Sequence, residues 1–345
     1  MHSKKLFKGG LVAACLPLLW AACGPASSSS ATVVITPSPS PSPVAPSPSP
    51  PAPSPSPVPA QRLEASLPVP IEETAAATAG GKLFVMGGFN AAGFSLDTVF
   101  VFDGTSWQSG PTLPLPVDHP SAATLAGQIY LAGGHSYGAD SARLFRLDAD
   151  KWTEVAPMHY ARGGHALVAA QGRLYAIGGN TYRGNVAPTE AYDPASNAWT
   201  VLPAIPAPRN HVSGFVMGLD VCVAGGRAPN TSRVDCLNTA KNTWSRLADL
   251  PRPTSGGGAA TFLGGVVVMM GGQDANESVM IDQLTHYSQG VGWSTGETML
   301  VPRHGFELAL FEGRAWACGG ATAPGLHPVS TCTSVVNPAM GIRLK

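Results

Sequence analysis

Six glycine pairs, almost evenly spaced, limit the fold of this chain more than any other feature. They are Gly87-Gly88, Gly133-Gly134, Gly178-Gly179, Gly225-Gly226, Gly271-Gly272 and Gly319-Gly320, at spacings of 46, 45, 47, 46 and 48 residues. Each follows a short apolar run such as LFVM, IYLA or LYAI. A tryptophan comes 19 to 22 residues after the first glycine in five of the repeats: Trp107, Trp152, Trp199, Trp244 and Trp293. Six residues beyond each tryptophan stands an apolar residue: Leu113, Met158, Ile205, Leu250 or Met299. A fixed period of this length means one supersecondary unit per repeat, stabilised by packing on its neighbours. Within the unit, the apolar run before the glycines reads as a strand packed on both faces. The glycines at its end permit positive φ or close backbone approach. A mixed strand then ends in Asp103, Asp148, Asp193 or Asn238, whose short side chains suit a tight turn before the tryptophan strand. The tryptophans read as packing residues, each burying about 150–250 Å².

This arrangement resembles the kelch repeat, and the resemblance covers essentially all of residues 61–345. It implies an all-β fold, a six-bladed kelch-type β-propeller with one four-stranded blade per repeat. The last repeat has no tryptophan strand, since after Cys332 the chain reads TSVVNPAMGIRLK. The missing strand is found at the other end, where QRLEASLPVPIEE sets Gln61 at the tryptophan position and Leu67-Pro68 where other repeats have Leu-Pro. The N-terminal strand is therefore expected to complete the sixth blade and close the ring, which removes open sheet edges. No length remains for a seventh blade.

The segment before the repeats is of another kind. Residues 1–22 carry Lys4, Lys5 and Lys8 and then an apolar stretch from Leu11 to Ala22, broken by Pro17 and too short for the ~20 residues a bilayer needs. This reads as a signal peptide. Its end, Leu19-Trp20-Ala21-Ala22-Cys23-Gly24, resembles the bacterial lipobox, which implies a lipidated Cys23 at the mature N-terminus, although Trp20 stands where an aliphatic residue is usual. From residue 23 to 60 the composition is Ser, Pro and Ala, with 12 prolines between residues 37 and 59. Proline fixes φ and removes donors, and nothing apolar offsets ordering, so the segment reads as a disordered stalk. The resulting domains are a signal peptide (1–22), a lipobox and stalk (23–60) and a propeller (61–345). The address they imply is a bacterial cell envelope, with the membrane engaged only through the N-terminal lipid.

With 21 Lys+Arg against 21 Asp+Glu, the formal charge is zero, which leaves no electrostatic basis for nucleic-acid binding. Charged residues are only 12% of the chain, about half of what soluble domains carry. Besides Cys15 and Cys23 there are two cysteine pairs, Cys222/Cys236 and Cys318/Cys332, each split between adjacent strands of one repeat. Disulfides in an oxidising compartment are the expectation. No cysteine pair has the two-to-four residue spacing of a zinc site, so no metal or other cofactor is expected.

Sequence motifs for phosphate, zinc-protease, serine-hydrolase or EF-hand chemistry are absent. Propeller sites are assembled from several blades, and in kelch propellers the loops leading into each innermost strand share one face with those after the glycine pair. Carried onto this sequence, that face collects Glu72, Glu73, Asp118, His119, Arg162, His165, Arg209, His211, Arg303 and His304 from the first set, and Asn90, His135, Tyr137, Asn180, Tyr182, Arg183, Arg227, Gln273 and Asp274 from the second. Arg162, His165, Arg209, His211, Arg227, Arg303, His304, Tyr182 and Gln273 are the candidate ligand contacts, because arginine and histidine converging on a channel mouth suit a carboxylate or sugar acid. The competing reading is that Arg162, Arg209 and Arg303 bond neighbouring loop carbonyls. Three functions follow: a monomeric, lipid-anchored module binding an envelope or extracellular protein or glycan; a carbohydrate-active enzyme such as a sugar-acid mutarotase, with Glu73 beside Arg209 or Arg303; and a structural envelope component. The kelch-type copper radical oxidases fit poorly, since the disulfides leave no cysteine to modify a ligand tyrosine.

Overall fold

The computed structural model describes residues 60–338; the signal segment, Cys23 and most of the stalk lie outside them. Six antiparallel sheets of four main strands follow one another as blades, and no α-helix occurs among the described residues. From the inside outward, blade 1 comprises Ala75–Ala79, Lys82–Met86, Val99–Phe102 and Trp107–Ser109. Blade 2 comprises Ser121–Leu125, Gln128–Ala132, Leu144–Asp148 and Lys151–Val155. Blade 3 has Gly163–Ala170, Arg173–Thr181, Thr189–Asp193 and Ala198–Leu202; blade 4 has Ser213–Met217, Asp220–Ala224, Val234–Asn238 and Thr243–Arg246. Blade 5 has Gly258–Thr261, Val267–Met270, Gln283–Ser288 and Gly292–Thr298. Blade 6 takes Leu308–Phe311, Arg314–Cys318 and Cys332–Val336 from the C-terminal part and its outermost strand, Gln61–Glu64, from the N-terminal part, in the register Gln61 opposite Val335 and Glu64 opposite Cys332.

The core lies between blades. One cluster joins Phe84, Met86 and Val99 of blade 1 to Ile129, Leu131 and Phe145 of blade 2, and equivalent clusters fill the other interfaces. Both faces of each sheet are packed, which is why the second strands read as unbroken apolar runs.

The glycine pairs hold blade to blade. The second glycine amide of each pair donates to a carbonyl in the loop leading into the next blade: Gly88 to Val117 (2.8 Å), Gly134 to Arg162 (2.8 Å), Gly179 to Arg209 (3.0 Å), Gly226 to Thr254 (2.8 Å), Gly272 to Arg303 (2.8 Å) and, across the ring closure, Gly320 to Ile71 (2.9 Å). A Cβ on the first glycine of any pair would collide with that same carbonyl oxygen, and φ there is 63–70°. Both positions are thus closed to other residues by close approach as well as by backbone conformation.

The tryptophans work on the outside of the same joints. Each indole donates to a backbone carbonyl of the preceding blade's outer edge: Trp107 to Ala65, Trp152 to Pro111, Trp199 to Ala156, Trp244 to Pro203 and Trp293 to Ala248, at 2.8–3.0 Å. In blade 6 Gln61 takes this position, its amide donating to the Thr298 carbonyl at 2.8 Å and accepting from the Leu300 amide at 3.2 Å. Cys222 lies opposite Cys236, and Cys318 opposite Cys332, on paired second and third strands, and both pairs are disulfide-bonded.

Candidate functional site at the channel mouth

At one end of the central channel the six innermost strands begin with a ring of backbone hydrogen bonds. The His119 amide donates to the Glu73 carbonyl, Gly164 to His119, His211 to Gly164, Gly256 to His211, Gly305 to Gly256 and Glu73 to Gly305, at 2.6–3.1 Å. All six residues have φ between 51° and 70°. Glycine adopts this conformation at no steric cost, whereas an L side chain there costs about 1 kcal/mol or more. Three blades use glycine; the other three carry Glu73, His119 and His211. Around this girdle, the residue before each ring member pairs with the residue after the glycine pair, as in Glu72 with Phe89, Asp118 with His135, Asn210 with Arg227, Ser255 with Gln273 and His304 with Ala321. The loops grouped from sequence therefore do share this face.

The three girdle side chains meet. His119 Nε2 lies 3.5 Å from Glu73 Oε2, and His211 Nε2 lies 3.9 Å from Glu73 Oε1. Each imidazole is oriented by the residue before it, His119 Nδ1 at 2.6 Å from Asp118 Oδ1 and His211 Nδ1 at 2.5 Å from Asn210 Oδ1. Arg227 reaches over the cluster, with Nη2 2.7 Å from His211 Nε2 and Nη1 donating to Glu277 at 2.8 Å. His135 stacks edge-on against His119, their centroids 5.5 Å apart. Burial, reinforced by Arg227 and the neighbouring imidazoles, holds His211 well below the usual histidine range. Burial also lowers His135 and His304. For His119 burial acts the same way, but Glu73 and Asp118 outweigh it and hold the group above its ordinary value.

Three of the arginines expected to touch a ligand do not face the mouth. Arg162, Arg209 and Arg303 are 0%, 2% and 0% exposed. Arg162 donates to the carbonyls of Gly178 and Pro188 and to Glu190 Oε2 (2.9 Å); Arg209 donates to Gly225 and Asp235 (2.9 Å); Arg303 donates to the carbonyls of Gly319 and Thr331. They clamp the loops of their own blades, because a buried guanidinium is tolerated only with its donors satisfied. The position behaves as a pair with the second residue of the third strand. Blades 3 and 4 have Arg162 with Glu190 and Arg209 with Asp235, while blades 1 and 2 have Ile71 with Phe100 and Val117 with Phe145 in the same places. Arg209 and Arg303 thus spend their donors inside their own blades, and the guanidinium bonded to a neighbour of Glu73 is that of Arg227, at His211 Nε2.

His165 and Gln273 are buried, and His165 finds no protein partner for either ring nitrogen. Burial, reinforced by Arg162, holds His165 well below the usual histidine range, as it does His211, whereas His119 is held above that range. His304 is buried beside the girdle, and Tyr182 is exposed on its rim. One channel residue escaped the sequence reading altogether. Glu307 of blade 6 reaches across the channel to accept from the Ser121 hydroxyl and from the backbone amides of Ala76 (3.0 Å) and Ala122 (3.1 Å). Burial pushes its carboxyl up to about 7 against these three bonds. In the opposite direction the channel widens into a cavity of about 610 Å³ lined by the ends of the innermost strands.

Fold and mouth together define a six-bladed β-propeller whose blades are joined through paired glycines. The family profile described as the KLHDC2/KLHL20/DRC7 Kelch-repeats domain matches residues 60–226, and the chain is a kelch-repeat β-propeller. It is 25% identical over 268 residues to Kelch-like protein terF of Aspergillus terreus, covering 73% of this chain and 50% of that protein. It is 30% identical over 205 residues to Kelch-like protein 25 of Xenopus tropicalis, covering 54% of this chain and 34% of the relative. Beta-scruin of Limulus polyphemus is 28% identical over 179 residues, 52% of this chain and 15% of the relative. The chain thus spans half or less of the length of these relatives. Among solved structures, "Structure of YjhT" superposes with a TM-score of 0.68 at 16% identity, covering 79% of this chain and 97% of that one, a likeness of fold.

Proposed function

We propose that this propeller is a lipid-anchored, extracytoplasmic binding module that docks a protein partner on its channel-mouth face. One observation carries the reading. All four large aromatic side chains that are strongly exposed among the described residues, Phe94 (68%), Tyr137 (83%), Tyr160 (42%) and Tyr182 (68%), stand on loops of this face. Val279 and Leu326 extend the rim into blades 5 and 6, and Arg227 fills blade 4. Tyrosine and arginine are the residues that dominate binding energy at protein interfaces. The opposite face exposes aliphatic Leu219, Leu263 and Val291 without an aromatic. The two disulfides support an oxidising compartment, and the Ser/Pro composition of residues 23–60 supports a tether.

The test is capture from the source organism's envelope fraction with wild-type and Tyr137→Ala/Tyr182→Ala protein. Loss of the captured protein in the variant, with melting temperature unchanged and with Leu263→Ser/Val291→Ser protein capturing normally, is the expected result. Equal capture by both variants rejects the mouth as the docking face. A glycan array screened alongside distinguishes a carbohydrate ligand, and Cys23→Ser should release the chain from the membrane fraction, unchanged fractionation rejecting the anchor.

A further inference from the structure

We propose that Glu73, His119 and His211 form a binding site for a divalent transition-metal cation of the zinc class at the centre of the channel mouth. The proposal stands whether or not the aromatic rim docks a partner.

Five features of the girdle support it. The donor set, two imidazole nitrogens and a carboxylate, suits borderline cations such as Zn²⁺ and excludes the oxygen-only preference of Ca²⁺ and Mg²⁺. With one ligand atom from each residue the three lie within 4.8 Å of one another; His119 Nε2 is 3.5 Å from Glu73 Oε2, and His211 Nε2 is 3.9 Å from the other carboxylate oxygen, Oε1. Ligands at about 2.1 Å from one ion stand roughly 3–4 Å apart, so the two imidazoles need approach by only about an ångström. Next, both histidines are set in the tautomer a metal requires. Asp118 and Asn210 each accept from a Nδ1–H, which turns both Nε2 atoms inward; an acceptor on the far nitrogen is the recurrent support of metal-bound histidine. The three side chains also occupy equivalent positions of a six-fold ring at which glycine is the unstrained choice, and each accepts a left-handed backbone to be there. Finally, a cavity of about 50 Å³ lies beside them, lined by Glu73, His119 and His211 and by the glycines of the other blades, room for an ion and a water.

Arg227 is the competitor. Its guanidinium holds His211 Nε2 at 2.7 Å, and a cation must displace it toward Glu277 and Gln273, which already bond its other nitrogen. A metal site therefore predicts that Arg227→Gln binds the ion more tightly than wild type, since a donor and a like charge leave together.

The test uses the full chain, stripped with chelator and titrated calorimetrically with Zn²⁺, and with Co²⁺ followed by its visible absorption. Each ligand is replaced by the residue that the other three blades carry: Glu73→Gly, His119→Gly and His211→Gly. Glycine relieves the left-handed backbone, so these variants should fold at least as stably as wild type. One Zn²⁺ per chain and an intense Co²⁺ band are expected for wild type. Each glycine variant should weaken Zn²⁺ by at least about 100-fold, the upper end of what losing an outer hydrogen-bond partner costs a metal site, and Arg227→Gln should strengthen it. Zn²⁺ affinity no higher in wild type than in the three glycine variants overturns the proposal.

Discussion

Replacing Arg162 by leucine should unfold this protein before it affects any ligand. The guanidinium is fully buried and donates to Gly178, Pro188 and Glu190. Its loss strands the Glu190 carboxylate, which is itself inaccessible and keeps only the His159 and Tyr160 donors. Breaking a buried pair from one side costs about 3–5 kcal/mol. For a domain of this size that is a fall of about 6–10 °C in Tm, at roughly 2 °C per kcal/mol. Removing both charges is a different matter, since blades 1 and 2 already build the same corner from Ile71 with Phe100 and from Val117 with Phe145. The double variant Arg162→Leu/Glu190→Phe should thus recover most of the loss, giving a coupling well above the ~0.5 kcal/mol within which independent sites add. Arg303→Leu should cost less than Arg162→Leu, because no carboxylate is left behind. Calorimetric or urea unfolding of the four variants decides it. An Arg162→Leu protein with unchanged Tm, or a double variant as unstable as the sum of its parts, refutes the clamp.

Three further outcomes are expected. Glu307 has a folded-state value near 7 against 4.5 when free, so its contribution is fully present below pH 4.5 and is lost as pH rises to 7, on the order of 3 kcal/mol at most; Glu307→Gln should remove that slope from Tm measured between pH 4.5 and 7.5, and an unaltered slope counts against a strained carboxylate in the channel. Deleting residues 61–66 strips blade 6 of its outer strand and bares the Cys332–Val336 edge, so it should lower Tm and promote aggregation while deleting 24–59 does neither; equal melting of the two truncations excludes that strand from the ring. Non-reducing peptide mapping should find Cys222 linked to Cys236 and Cys318 to Cys332, and reduction should cost about 3 kcal/mol per bond; free thiols at all four refute it.

The architecture could be read from sequence because it repeats. The glycine pairs and tryptophans recur in register since each performs the same inter-blade bond, Gly134 to Arg162 or Trp152 to Pro111, in blade after blade. The arginines misled for a physical reason. In a chain with so few charges a charged residue suggests solvent, yet Arg162, Arg209 and Arg303 are charges that the fold encloses with their partners. The signal was present in the repeats, where Arg coincides with Glu190 or Asp235 and aliphatic Ile71 or Val117 with phenylalanine. The girdle was harder to see. Glu73, His119 and His211 are separated by 46 and 92 residues, so no local spacing links them; only reading down the column Glu73, His119, Gly164, His211, Gly256, Gly305 exposes them as one ring. Glu307 stands where other blades place Ala75, Ser121, Ala166, Ser213 and Gly258, small residues that leave the channel open to it.

Site-specific photo-cross-linking in the native host determines which end of the channel meets a partner. A benzophenone side chain at Tyr137 or Tyr182 on the mouth, or at Leu263 or Val291 on the opposite face, is illuminated in intact cells and the adducts are resolved by mass. Docking at the mouth predicts a discrete protein adduct from both tyrosine positions and none from the other two. Adducts confined to Leu263 or Val291 would contradict it.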